Sequence, residues 1–102
     1  MDPIKQFKKD KKRNIRALGS NKKAKKLALD FVMATYPNRY SFHFEWLGRP
    51  IIQYPQDMVA MQEIIWDVKP DLIIETGIAH GGSLIFYASL LKLLGRGKVL
   101  GI

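Results

Sequence analysis

Asp71-Leu-Ile-Ile-Glu-Thr-Gly-Ile-Ala-His-Gly-Gly-Ser-Leu84 is the stretch whose reading decides the fold. Its short apolar run, Leu72 to Ile74, is entered from Lys69-Pro70 and predicts a buried parallel strand. Glu75 ends the run, and a loop with Gly77, Gly81 and Gly82 follows. Ser83 stands where a helix cap belongs, ahead of the apolar stretch Leu84 to Leu94. Strand, acid, glycine loop and helix form the layout of a nucleotide-binding first βα turn. An ordinary strand-to-helix turn has the same outline.

Each residue type has a physical role in such a turn. Glycine reaches backbone angles closed to other residues and carries no side chain, so a ligand can rest on bare main chain. The start of a helix presents unpaired N–H groups and a partial positive charge. Dinucleotide fingerprints run G-x-G-x-x-G with the acid on the next strand. Here Glu75 precedes the first glycine, giving Glu-x-Gly-x-Ala-x-Gly across Glu75, Gly77, Ala79 and Gly81. That order points away from a pyrophosphate and towards S-adenosylmethionine, whose ammonium suits a nearby carboxylate. Thr76 and His80 share the loop and are candidates to line the same pocket.

The 102 residues suit one domain at most, too few to complete a large α/β sheet. There is no cysteine, which excludes disulfide and zinc-thiolate chemistry and agrees with a reducing cytoplasm. No apolar run approaches membrane-spanning length, and the N-terminus is too charged for a secretory signal. The expected localisation is cytoplasmic.

Charge is uneven. Residues 1–26 hold eleven of the seventeen Lys and Arg against Asp2 and Asp10, a balance of +9, and the remainder sums to −1. Residues 1–26 are therefore expected to form a basic N-terminal arm, and 27–102 a partial Rossmann-like domain. The arm suits a nucleic acid, an anionic membrane surface with peripheral attachment, or plain solvation. Phe7 alone among its lysines is too little aromatic surface for a single-strand binder.

From about Asn21, Leu27, Phe31 and Ala34 recur at helical spacing, and Tyr36-Pro37-Asn38 ends the pattern. This stripe serves packing, at the domain edge or against a second copy in a homo-oligomer. Tyr40, Phe42 and Phe44 alternate with polar residues, which predicts a half-buried strand. Leu47-Gly48-Arg49-Pro50 reads as a turn, making a hairpin or collar. His43 in that segment is read as structural or surface-facing, since a metal site needs several ligands in concert. Pro55-Gln56-Asp57 opens a helix with Met58, Met61, Ile64, Ile65 and Val68 as its buried stripe and Trp66 beside it. Gly95 caps the helix after the glycine loop, and Gly97 to Ile102 predicts a second strand, parallel to the first. The ribose-holding acid of such units belongs just beyond that strand, so the chain is expected to be the N-terminal part of a longer protein.

Two blocks, Tyr40-Ser-Phe-His-Phe-Glu-Trp-Leu-Gly-Arg-Pro-Ile-Ile-Gln-Tyr-Pro-Gln-Asp57 and Lys69-Pro-Asp-Leu-Ile-Ile-Glu-Thr-Gly-Ile-Ala-His-Gly-Gly-Ser83, resemble the cephalosporin hydroxylase family, which includes rhamnosyl O-methyltransferases. The resemblance covers roughly residues 36–102. It implies a Rossmann-like class I methyltransferase fold with S-adenosylmethionine as methyl donor. It also implies a small-molecule acceptor bearing a hydroxyl, such as a sugar, a lipid-linked saccharide or an antibiotic core, in lipid, polysaccharide or natural-product biosynthesis. Carried onto this sequence, Glu75 faces the methionine amine, Gly77 and Gly81 admit the cofactor, and Ser83 caps the bordering helix, with Ala79 in the same loop. The divalent cation of the family, expected to be Mg2+, is bound by acids further along, so the chain alone is expected to be inactive. The alternatives are another nucleotide-cofactor enzyme, a hydroxylase or dehydrogenase, or a non-catalytic binding module driven by the basic arm.

Overall fold

A computed structural model describes residues 2–102. The chain forms two compact units, the first ending at Asn38 and the second spanning Arg39–Ile102.

The first unit is two helices. Asp2 caps α1 (Pro3–Gly19), its carboxylate accepting from the Ile4 N–H at 2.9 Å, and Pro3 opens the first turn. Asn21 caps α2 (Lys22–Thr35) through the Ala24 N–H at 3.0 Å. Residue 26, where the basic excess ends, lies inside α2. Neither helix has a buried residue.

The second unit carries the core. Strands β1 (Phe44–Trp46) and β2 (Arg49–Ile51) pair antiparallel through a turn at Leu47 and Gly48. Helix α3 (Pro55–Val68) follows, then β3 (Leu72–Glu75), α4 (Gly82–Leu94) and β4 (Lys98–Gly101). β3 and β4 are parallel, with Leu72 opposite Lys98 and Glu75 opposite Gly101. Two bonds extend the ladder past its end: Ile102 N–H to Glu75 O at 2.9 Å, and Gly77 N–H to Ile102 O at 3.1 Å. The expected α/β class is observed as two two-stranded sheets with helices.

Ile51, Ile65, Phe86, Tyr87 and Leu91 form the buried core, with Trp46, Ile73 and Val99 packed against it. The Trp46 ring stands edge-on to Phe86 with centroids 4.8 Å apart, and its Nε1–H reaches Ser89 Oγ at 3.2 Å. These contacts tie the hairpin to α4. Gly95 caps α4 in the left-handed conformation, as expected.

Four expectations are corrected. Tyr40–Phe42 is a single 3-10 turn, closed by the Phe42 N–H on Arg39 O at 2.9 Å, and extended structure begins only at Phe44. Aromatic clustering drives the difference, since Tyr40 stacks edge-on against Phe44 at 5.2 Å and tilts over Tyr54 at 6.0 Å. β3 is not buried on both faces: Leu72 and Ile74 are 51% and 58% exposed while Ile73 faces the core. Of the α3 stripe only Ile65 is buried; Met58 and Met61 are partly covered, and Ile64 and Val68 are exposed. Ile64, Val68, Leu72 and Ile74 line an open apolar groove between α3 and β3. Finally, Ser83 does not cap α4. That position belongs to Gly81, at φ 81°, and Ser83 lies within the first turn.

Candidate functional site

The loop from Thr76 to Gly81 leaves the C-terminal end of β3 and turns sharply into α4. Three of its residues have positive φ: Gly77 at 76°, Ala79 at 46° and Gly81 at 81°. A Cβ at Gly77 would meet no atom within 4 Å, so its Cα faces open space. Gly82 is the opposite case. A Cβ there would lie 2.1 Å from the Pro50 carbonyl oxygen, so α4 begins directly against β2. This glycine is needed for packing, whereas Gly77 exposes main chain.

A cavity of about 350 Å³ opens beside this loop. Glu75, Thr76, Gly77, Ala79 and Ser83 line it on the loop side. Pro50 to Gln53 form a second wall, and Tyr87 lies between them. Of the seven residues expected from sequence, five thus share one cavity. His80 and Gly81 do not line it. The His80 carbonyl accepts from Arg49 Nη1 at 3.1 Å, and Gly81 makes the helix-capping turn. The His80–Arg49 bond ties the loop to the hairpin.

The Ser83 hydroxyl donates to Glu75 Oε1. This bond fixes the carboxylate at the strand's end. Glu75 is partly buried and keeps a second oxygen to accept from a ligand. The first backbone bond of α4 runs from Ile85 N–H to Gly81 O at 3.2 Å. The amides of Gly82 and Ser83 therefore begin the helix at the cavity wall, a position that favours negative charge.

Tyr87 is a site residue that the sequence reading did not single out. It follows Ser83 by four residues, so both share one face of α4, and that spacing was the available signal. Burial pushes its phenol above the ordinary value of 10.0, and the negative charge of Glu75 adds to the shift. Gln53 carried no such signal, because its wall forms only when the hairpin folds back on the loop. Among the described residues, Glu75 and Tyr87 are the only titratable ones lining the cavity. The arrangement suits holding an ammonium-bearing ligand, with an acid, a hydroxyl and bare backbone side by side. Among the described residues, no three His, Asp or Glu converge as a metal-ligand set.

Residues 38–102, well over half of the chain, match a family model described as Rhamnosyl O-methyltransferase/CmcI. The chain belongs to this family. The matched region is almost coextensive with the second unit, which holds the cavity. A rhamnosyl O-methyltransferase of Mycobacterium leprae (strain TN) is 36% identical over 58 residues, covering 56% of this chain and 25% of that protein. Rhamnosyl O-methyltransferases of Mycobacterium tuberculosis (strain ATCC 25618 / H37Rv) and Mycobacterium bovis (strain BCG / Pasteur 1173P2) are 38% identical over 40 residues, covering 39% of this chain and 16% of each protein. The match thus spans a quarter or less of these relatives' length. No solved structure matches significantly. Among the described residues, no helix is long and apolar enough to cross a membrane.

Proposed function

We propose that the second unit forms the donor side of an S-adenosylmethionine-dependent O-methyltransferase site, acting on a hydroxyl of a rhamnosyl or related sugar acceptor. In this reading residues 1–26 are a basic arm, and the β3–α4–β4 unit is the start of a Rossmann-like sheet. The carrying observation is the bare Gly77 backbone beside Glu75 in one cavity. The residues fit the cofactor's amino-acid end: a carboxylate for its ammonium, helix-start amides for its carboxylate, and no side chain at Gly77 to block approach. Bound S-adenosylmethionine supplies an electrophilic methyl group. Glu75, held by Ser83, orients the ammonium end. Gly77 and Ala79 set how closely the nucleoside lies to the loop, and the Pro50–Gln53 wall limits its access to water. This chain's contribution to rate is positioning. The acceptor is proposed by analogy with the relatives, which are rhamnosyl O-methyltransferases, and the described residues offer a divalent cation no ligand set.

The test is a nuclear magnetic resonance titration of the 102-residue protein with S-adenosylhomocysteine. Amide shifts are expected at Gly77, Ala79, Ser83 and Gln53, and Gly77→Val should remove them. Shifts spread over the chain, no shifts, or equal shifts with a nicotinamide dinucleotide would overturn the assignment.

A further inference from the structure

The first unit has an apolar face that its own two helices leave open. Along α1, Ile4, Phe7, Ile15 and Leu18 fall within about 80° of arc on a helical projection. They are 61%, 63%, 58% and 59% exposed. The partly covered residues of α1 are instead Gln6 and Asp10, on another side of the helix. Gln6 Nε2 donates to Asp10 at 3.0 Å, and Asp10 pairs with Arg13 at 3.0 Å. Lys5, Lys8, Lys12 and Arg16 run along one flank of the apolar stripe, and Lys11 lies within it.

Charge selects the occupant. Residues 1–26 carry +9, while the rest of the chain sums to −1. A second copy would bring another head of the same sign against the first. A nucleic acid satisfies the lysines and leaves the stripe in water. An anionic bilayer satisfies both, with the stripe at the acyl boundary and the ammonium groups among lipid phosphates; the Lys11 stem is long enough to reach them. We propose that α1 docks this chain in the plane of an anionic membrane surface. This inference stands apart from the methyl-transfer reading, because it uses none of the cavity residues.

Co-sedimentation of the 102-residue protein with lipid vesicles tests it. Binding to vesicles containing phosphatidylglycerol should exceed binding to phosphatidylcholine alone by about tenfold or more, and should weaken in high salt. The double variant Phe7→Ser/Ile15→Ser should lose about tenfold in affinity, and Lys8→Glu/Lys12→Glu should lose affinity on anionic vesicles only. Phe7→Trp preserves the stripe, so it should keep wild-type affinity and show added emission quenched by brominated lipid. Equal binding to neutral and anionic vesicles would overturn the proposal. So would no quenching at Trp in Phe7→Trp, or a preference for an oligonucleotide over vesicles. A dimer that Phe7→Ser/Ile15→Ser dissociates, with no vesicle binding, would show that the stripe serves a second copy instead.

Discussion

Gly77 and Gly82 stand five positions apart and answer to different forces. At Gly82 an added methyl meets the Pro50 backbone, which cannot swing aside. Gly82→Ala is therefore expected to cost about 1–3 kcal/mol from overpacking, seen as a lower urea midpoint. At Gly77 the space is open, and only the left-handed backbone resists. Gly77→Ala should cost about 1–2 kcal/mol and leave the hairpin contact with α4 intact. Similar losses accompanied by similar loosening of Trp46 fluorescence would contradict this division of roles. Tyr87 gives a second residue-level expectation. Its phenol is pushed up first by burial and then by Glu75. Folding favours the neutral form, so its stabilising contribution is complete below the unfolded value near 10.0 and is lost as pH rises through the folded value. Ultraviolet titration should show Tyr87 ionising above the ordinary phenol value. Glu75→Gln should bring it part of the way down. A full return to the ordinary value would mean that charge, and not burial, dominates.

Elements were legible where local chemistry decides them. The start of α2 near Asn21, its end before Pro37, the Gly95 cap and the parallel pairing of β3 with β4 were all readable as punctuation and pattern. What was not readable depends on distant chain. Leu72-Ile-Ile looks like a strand covered on both faces, yet half of it borders an open groove, because apolar content does not say how many neighbours a strand has. Ser83 looks like a cap by position, and only the fold places Glu75 where it takes the hydroxyl. The hairpin wall of the cavity, Pro50 to Gln53, comes from far earlier in the chain than the loop, with no motif to announce it. The aromatic pairing of Trp46 and Phe86 holds that wall in place. Phe86 is 3% exposed within a core of five buried residues. Truncation to alanine at such a site costs about 3–5 kcal/mol. Small domains hold only about 5–15 kcal/mol in total, so Phe86→Ala should remove a large share of the second unit's stability and lower its melting temperature sharply. Trp46→Phe keeps the ring and loses the Ser89 bond, and should cost only about 0.5–1.5 kcal/mol. Thermal melts of both variants by circular dichroism decide this. A cooperative, wild-type melt for Phe86→Ala would place the core elsewhere.

Across the whole molecule, stability and charge are divided between the two units. The second unit holds every buried core residue, and the first holds the basic excess. Helices without buried residues depend on caps and local pairs, such as Lys26 with Asp30 at 2.8 Å, and exposed pairs of this kind contribute little. Amides of α1 and α2 should then open by local fraying, while those in the middle of α4 open only when the second unit unfolds. Hydrogen exchange followed by mass spectrometry should show fast exchange over residues 3–35 and slow exchange over residues 85–93. Equal protection in both units would mean that the first is held by contacts stronger than its exposure implies. Anionic vesicles extend the measurement: docking should slow exchange in α1 and leave α4 unchanged. S-adenosylhomocysteine should act the other way, slowing exchange at residues 76–83 without touching α1. The two ligands thus separate the membrane proposal from the cofactor proposal in one experiment, since each should protect the unit that the other leaves unaltered.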